Sequence, residues 1–142
     1  MIGIIVTGHG NFASGVSSSV KLIAGLPEKY EQVDFLEEHG IEELSKNIET
    51  AINKLNDCEG IIIFTDLVGG SPFKASVELS MKYKNIAVLG GTNLGMLIET
   101  SMARNFIEDL DTLCNSAIST GKDQLIRYEF VERVEVESED GI

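Results

Sequence analysis

The residue best suited to covalent chemistry is His9, one of two histidines in this chain of 142 residues. It follows a short apolar run and lies between Gly8 and Gly10, so small neighbours leave its ring open to a large partner. A neutral imidazole is a nucleophile near pH 7 and can hold a phosphoryl group transiently. The competing interpretation is an ordinary polar loop residue, but the position at the end of an apolar run favours chemistry.

A carboxylate, Asp66, directly follows the strongest strand signal of the chain, the segment GIIIFT at 60–65. Two interpretations of Asp66 carry equal weight at this stage. It either closes an Asx-type turn or caps a helix, or it accepts a hydrogen bond from one ring nitrogen of His9. The second arrangement would fix the tautomer of the imidazole and leave the other nitrogen free to attack.

A glycine-rich loop follows Asp66 and leads into a predicted helix. Ser71 is a favourable N-cap and Pro72 suits the first helical position, so the loop is at least a tight turn. The exposed N–H groups of a helix N-terminus also bind phosphate, Gly69 and Gly70 let the backbone approach closely, and Ser71 can donate its hydroxyl. The Gly-Lys-Ser/Thr of a Walker A loop is missing, so a nucleoside triphosphate site is unsupported.

Alternating strands and helices must position these residues. Apolar runs predict parallel strands at 2–7, 31–36, 60–65 and 86–89, and helical spacing predicts helices at about 12–25, 41–55, 72–83, 94–104 and 106–119. This order indicates one α/β domain with a mainly parallel sheet flanked by helices. Ligands of such sheets bind at the carboxyl ends of the strands. His9, the loop after Asp66 and a third loop at 90–93 all fall there.

The spacing also predicts which helical side chains are buried and where the last helix ends. The apolar positions expected to face the core are Phe12, Val16, Val20, Ile23, Ile41, Leu44, Ile48, Ile52, Leu55, Phe73, Val77, Met81, Leu94, Leu97, Ile98 and Met102. Gly121 is expected to break the last helix. Residues 125–136 alternate in part between apolar and polar side chains, which predicts a strand, and 137–142 are expected to be disordered. The domain is therefore expected to span 1–125, followed by a C-terminal strand and tail at 126–142.

Composition excludes several classes of function. The chain has 11 basic and 23 acidic residues, a formal net charge of -12, which argues against nucleic acid or anionic lipid as a partner. The spacing of Cys58 and Cys114 fits buried or surface thiols and neither a disulfide framework nor a metal site. The N-terminus lacks the features of a signal peptide and no stretch is long enough to span a membrane, so we expect a cytoplasmic protein without a metal or cofactor.

Three segments together resemble the mannose-family enzyme IIA of the bacterial phosphoenolpyruvate-dependent sugar phosphotransferase system: IIVTGHGNFASG, FTDLVGGSPFKAS and GTNLGMLIE. The resemblance covers roughly residues 1 to 125. It implies that His9 accepts a phosphoryl group from phospho-HPr on its tele nitrogen and passes it to a IIB component. It also implies that Asp66 orients the ring and that Gly69, Gly70 and Ser71 form the phosphate-side loop.

Members of that family are homodimers, often formed by exchange of a C-terminal strand, for which 125–136 is the natural candidate here. They act on the membrane components IIC and IID only indirectly, and those components choose the sugar. The residues of the two main segments look closer to the N-acetylgalactosamine branch than to the mannose fusion proteins, with mannose, fructose, sorbose and gluconate systems still open. No Ala/Pro-rich linker follows, so we expect a free-standing component.

Two other functions stay open from the sequence. Small tetrapyrrole chelatases also place a histidine in a Gly-His-Gly setting after the first strand, but they need a second metal-directed side chain, and His39 lies in the wrong kind of segment for that. A module that signals through a dihydroxyacetone kinase has a related fold, although its loop lacks the GGSPF pattern of 69–73.

Overall fold

The apolar runs of the sequence form a parallel sheet in the computed structural model, which describes residues 1–133. The strand order is β2-β1-β3-β4, and the described residues also contain five helices. The strands are β1 (Ile2–His9), β2 (Tyr30–Phe35), β3 (Gly60–Thr65) and β4 (Ile86–Leu89). The helices are α1 (Phe12–Ala24), α2 (Ile41–Lys54), α3 (Ser71–Ser80), α4 (Leu94–Ala103) and α5 (Leu110–Asp123). The α/β fold predicted from the sequence is therefore confirmed.

The central strands β1 and β3 are apolar on both faces because helices cover both sides of the sheet. All six residues of β3 are buried, and Ile4 lies opposite Ile62 in the β1–β3 register. One core cluster includes Ile4 and Phe64, and a second, on α2 and α3, includes Ile5 and Ile63. Alternate residues of each strand thus enter different cores, which fixes the strand register.

Several helical faces differ from the prediction. In α3 the buried residues include Ala75 and Leu79, whereas Met81 is 78% exposed; Phe73 and Val77 are only partly buried. Ile23, Ile41 and Met102 were likewise expected in the core and are exposed. The sequence pattern assigns the largest apolar side chains to the buried face, but small residues let a helix approach its neighbours closely and so occupy that face instead.

The last helix also differs from the prediction. Gly121 lies inside α5 and is buried, and a Cβ atom there would come within 2.5 Å of Met96 Cγ on α4. The glycine thus lets α4 and α5 pack closely and does not break the helix. The helix begins later than expected because the side chain of Asp109 accepts a hydrogen bond from the N–H of Thr112 at 2.9 Å and caps it.

The predicted C-terminal strand does not form within this chain over its described part. Residues 125–133 have neither helix nor strand, and their large apolar side chains are exposed. The rest of that predicted strand and the expected disordered end, at 134–142, lie outside the described residues. Among residues 1–133, the helices are all too short or too polar to cross a bilayer.

A buried arginine fastens α4 to the start of the sheet. Arg104 is 4% exposed, and its Nη1 donates to the carbonyls of Ile2 at 3.0 Å and Lys29 at 3.2 Å; Nη2 donates to the carbonyl of Glu28. Burial lowers the pKa of Arg104 from its ordinary value, which is the cost of placing a charge where it can satisfy three carbonyl groups.

We expect Arg104→Met to lower the free energy of unfolding by about 2–4 kcal/mol, because the carbonyls of Ile2, Lys29 and Glu28 would each lose a hydrogen bond from a buried charged group. Urea unfolding followed by circular dichroism measures the change. Lys46→Met is the control, since Lys46 is exposed on α2, and it should unfold like the wild type. Equal stability of the two variants would contradict the proposed fastening.

Candidate functional site

The three loops singled out in the sequence meet at the carboxyl edge of the sheet. His9 is the last residue of β1, and Asp66 follows β3 directly. The loop after β4 is tied to them through the backbone: the N–H of Gly91 donates to the carbonyl of Asp66 at 2.7 Å, and that of Thr92 donates to Thr65 at 3.1 Å. The strand order places β1 beside β3, which brings the histidine and the carboxylate together.

One carboxylate oxygen of Asp66 holds His9 at two points. Oδ2 lies 2.7 Å from the ring nitrogen Nδ1 and accepts the backbone N–H of His9 at 2.8 Å. The side chain of His9 is 47% exposed, and that of Asp66 is 17% exposed. A carboxylate can only accept from the ring, so Nδ1 carries the proton and Nε2 has the free lone pair.

The environment of Asp66 keeps it ionised. Burial, the largest single influence, raises its pKa, but hydrogen bonds from the backbone and ring of His9, a backbone N–H of Leu67 and the charge of His9 together lower the pKa below its ordinary value. Asp66 is therefore a carboxylate at neutral pH, the form that orients an imidazole N–H most strongly.

The glycine loop lies against the ring of His9. Gly69 has a φ of +81°, which closes the turn, and the N–H of Gly70 donates to the carbonyl of Leu67 at 3.0 Å. A Cβ atom on Gly70 would lie 2.8 Å from Cε1 of His9 and 3.5 Å from Nε2. Helix α3 begins at the next residue, Ser71, so its N-terminus lies close to the free ring nitrogen.

A methyl group at position 70 should therefore disturb the ring. We expect Gly70→Ala to slow any reaction at Nε2 roughly tenfold by displacing the imidazole a few tenths of an ångström. Gly15→Ala is the control, because no atom beyond its chain neighbours and the backbone of its own helix lies within 4 Å of its added Cβ. Single-turnover labelling by phospho-HPr, the donor that the sequence resemblance implies, measures both variants, and equal rates would contradict the close approach of the loop.

Further side chains around His9 were missed in the sequence. The ring of Phe35 lies 5.9 Å from that of His9, centroid to centroid, and is tilted by 54°. Leu67 and Val68 are 64% and 65% exposed at the rim. The spatial order of the strands places the end of β2 beside β1, and the order along the chain does not reveal that neighbour.

The other candidate residues lie elsewhere. His39 accepts the backbone N–H of Leu36 on its Nδ1 at 3.1 Å and lines a separate groove of about 280 Å³ along β2 and α2. Cys58 and Cys114 are free thiols, and burial raises the pKa of Cys114 to about 11. Within residues 1–133, His, Cys, Asp and Glu form no group of three that could hold a metal ion.

Comparison with known proteins shows one consistent similarity. A family model named EIIA-man and described as "PTS system fructose IIA component" matches residues 3–118. The mannose-specific EIIAB component of the phosphotransferase system (PTS) from Escherichia coli K12 is 30% identical over 86% of this chain, which spans only 38% of that relative's length.

Two shorter relatives match over more of their own length. The sorbose-specific EIIA component of Lacticaseibacillus casei is 34% identical, over 72% of this chain and 73% of that protein. The crystal structure of the phosphotransferase component EIIA from Streptococcus agalactiae superposes with a TM-score of 0.83 and 34% identity, over 89% of this chain and 97% of that one.

Proposed function

We propose that Nε2 of His9 carries a phosphoryl group, because this chain belongs to the EIIA-man family, the mannose-type IIA components of sugar phosphotransferase systems. The donor is phospho-HPr and the acceptor is a IIB component. The phosphoryl group then reaches the sugar at the membrane components IIC and IID, which this chain serves only indirectly.

The observation that carries the proposal is the paired contact between His9 and Asp66. Because Nδ1 lies 2.7 Å from the carboxylate, the lone pair of the neutral ring is confined to Nε2, which is the tele position. That nitrogen is also the one beside Gly70. Nucleophile, orienting carboxylate and anion-binding loop thus have the mutual geometry that a phosphoryl carrier needs.

Transfer of a phosphoryl group from the donor histidine to His9 needs no cofactor. The lone pair of Nε2 attacks phosphorus while the nitrogen–phosphorus bond of the donor breaks, and the electron pair of that bond returns to the donor histidine. The free-energy change is small because one such bond replaces another. Catalysis therefore depends on in-line positioning and on stabilising the charge of the phosphoryl oxygens. The hydroxyl of Ser71 and the N–H groups of the first turn of α3 supply that charge stabilisation.

The loop beside the ring carries the proposed partner surface. Leu67 and Val68 are exposed on the same loop that carries Asp66 and Gly70, so an apolar rim lies beside a half-exposed nucleophile. Exposed apolar side chains next to a reactive group support transient contact with another protein. We assign this rim to the alternating contacts with HPr and IIB.

The carrier role is tested by following a phosphoryl group from phospho-HPr to this chain and then to a IIB component. The protein is incubated with phosphoenolpyruvate, enzyme I and HPr, freed of these proteins, and mixed with a mannose-family IIB component. Intact mass should show one phosphoryl group gained in the first step, lost in acid, and transferred to IIB in the second. Omitting HPr should prevent the first gain. A protein that stays unlabelled beside an active control IIA would refute the carrier role.

We also propose that the protein is a homodimer that exchanges its C-terminal segment. The side chains of Ile126, Tyr128 and Phe130 are each at least 79% exposed and alternate along the chain, while β4 is an open edge of the sheet. An exposed alternating segment and an unpaired edge complement each other. Light scattering at micromolar concentration should give twice the monomer mass, and a monomeric mass would refute the exchange.

A further inference from the structure

Phe35 is the neighbour of His9 on the adjacent strand. The two residues are partners in the parallel register of β1 and β2, so their side chains leave the sheet on the same face. Their ring centroids lie 5.9 Å apart with the ring planes tilted by 54°, inside the range of roughly 4.5–7 Å over which aromatic rings attract each other. The imidazole therefore has an aromatic wall on the side of β2.

This aromatic wall is itself fixed in place. The side chain of Phe35 packs against the core cluster on α2 and α3 that includes Leu44 and Ile48. Its backbone forms a reciprocal pair of hydrogen bonds with the residue after His9: the N–H of Gly10 donates to the carbonyl of Phe35 at 2.7 Å, and the N–H of Phe35 donates to the carbonyl of Gly10 at 3.3 Å. Core packing and backbone pairing together keep Phe35 from following a movement of the imidazole.

The carboxylate of Asp66 does not by itself fix the plane of the His9 ring. Its Oδ2 holds one ring atom, Nδ1, at 2.7 Å, and the last torsion of a histidine side chain has a broad energy minimum. Small coupled changes of the two side-chain torsions can therefore tilt the ring about that contact and move Nε2. The backbone of Gly70 limits the movement at Cε1, where an added Cβ atom would lie 2.8 Å away, and the ring of Phe35 supplies a second limit.

We propose that Phe35 is a positioning residue for phosphoryl transfer, because its ring sets the plane of the imidazole while Asp66 sets the tautomer. The inference rests on the proposed carrier role of His9. In-line transfer requires that the lone pair of Nε2 point at phosphorus along the line of the bond that breaks, and a small misalignment of the reacting atoms lowers the rate. Phe35 thus acts through the direction of Nε2 and makes no bond to the phosphoryl group.

Phe35→Leu removes the aromatic wall and keeps an apolar side chain against the core. At saturating phospho-HPr we expect single-turnover labelling to slow about tenfold, with little change in the concentration of phospho-HPr that half-saturates the rate. Phe35→Tyr keeps the ring and should restore most of the wild-type rate. Phe35→Met takes the place of leucine in the test if the leucine variant does not fold.

Tyr83→Leu is the matched control for loss of an aromatic ring. Tyr83 packs against the same core cluster as Phe35, but it lines a separate pocket with Cys58 and Ile86. This variant should lose packing as Phe35→Leu does and still be labelled at the wild-type rate.

The order of the His9 ring is measured separately, by ¹³C relaxation of its Cδ2 and Cε1 atoms in the unphosphorylated protein. The order parameters of these atoms should fall in Phe35→Leu and keep their wild-type values in Phe35→Tyr and Tyr83→Leu. The ¹⁵N shifts of the ring should still report a proton on Nδ1 in every variant, since Asp66 is unchanged. This measurement needs no donor protein.

The proposal is overturned if Phe35→Leu is labelled at the wild-type rate, if it raises only the half-saturating concentration, or if its His9 ring stays as ordered as in the wild type. It is also overturned if Phe35→Tyr is as slow as Phe35→Leu, or if Tyr83→Leu slows labelling equally. Failure of the wild type to take up a phosphoryl group would instead refute the carrier role itself.

Discussion

Replacing His9 by glutamine is expected to reduce labelling from phospho-HPr by at least about 10³-fold, because removal of the group that forms the covalent bond leaves no nucleophile at the site. Glutamine keeps a polar side chain of similar length, and its backbone N–H can still donate to Asp66, as that of His9 does at 2.8 Å. The loss would therefore report on the imidazole and not on the fold. Intact mass after a single turnover measures the labelled fraction.

His39→Gln is the matched control, because the same change is made in the second histidine of the chain. Its ring accepts a backbone hydrogen bond in a separate groove. We expect wild-type labelling for this variant. Normal labelling of His9→Gln together with loss of labelling in His39→Gln would show that His39, and not His9, carries the phosphoryl group.

The second large effect is expected for Asp66→Asn, which should slow transfer by about 10²-fold while labelling still reaches one group per chain. The amide is neutral, so it holds the protonated Nδ1 less firmly and no longer stabilises the positive charge that develops on the ring as Nε2 attacks. Both hydrogen bonds from His9 converge on one oxygen of this residue, so the change weakens both. Rapid-quench labelling at saturating phospho-HPr measures the rate.

Asp109→Asn controls for the loss of one negative charge. Asp109 caps α5, and asparagine is an equally good N-cap, so stability should be unchanged. Its labelling rate should equal that of the wild type. If Asp66→Asn is as fast as this control, ring orientation by the carboxylate is wrong, even if His9 carries the phosphoryl group.

Much of the fold could be predicted from the sequence because each strand is a short apolar run between turn residues. The four predicted strands agree with the structure to within a few residues, and their parallel arrangement follows from the alternation with helices. The same reasoning placed His9 and Asp66 at one edge of the sheet. The contact between them depends on β1 and β3 being neighbours, which alternation along the chain does not specify.

What could not be predicted depends on how closely elements pack. The buried face of α3 uses Ala75, and Gly121 lies inside α5 against Met96, because close packing favours small side chains where the sequence pattern favours large ones. Phe35 reaches His9 only because β2 is the other neighbour of β1. The alternating tail after 124 has the pattern of a strand but no partner strand within the described chain, and a period of two does not show which chain supplies one.

Identifying the nitrogen that is phosphorylated tests the role of His9 and Asp66 without relying on a mutant. The protein is labelled with ¹⁵N-histidine, phosphorylated through enzyme I and HPr, and examined by phosphorus–nitrogen correlation NMR. We expect one phosphorus bonded to Nε2 of His9, with Nδ1 protonated and still hydrogen-bonded to Asp66. Phosphorus on Nδ1 of His9, on His39 or on any other side chain would contradict it.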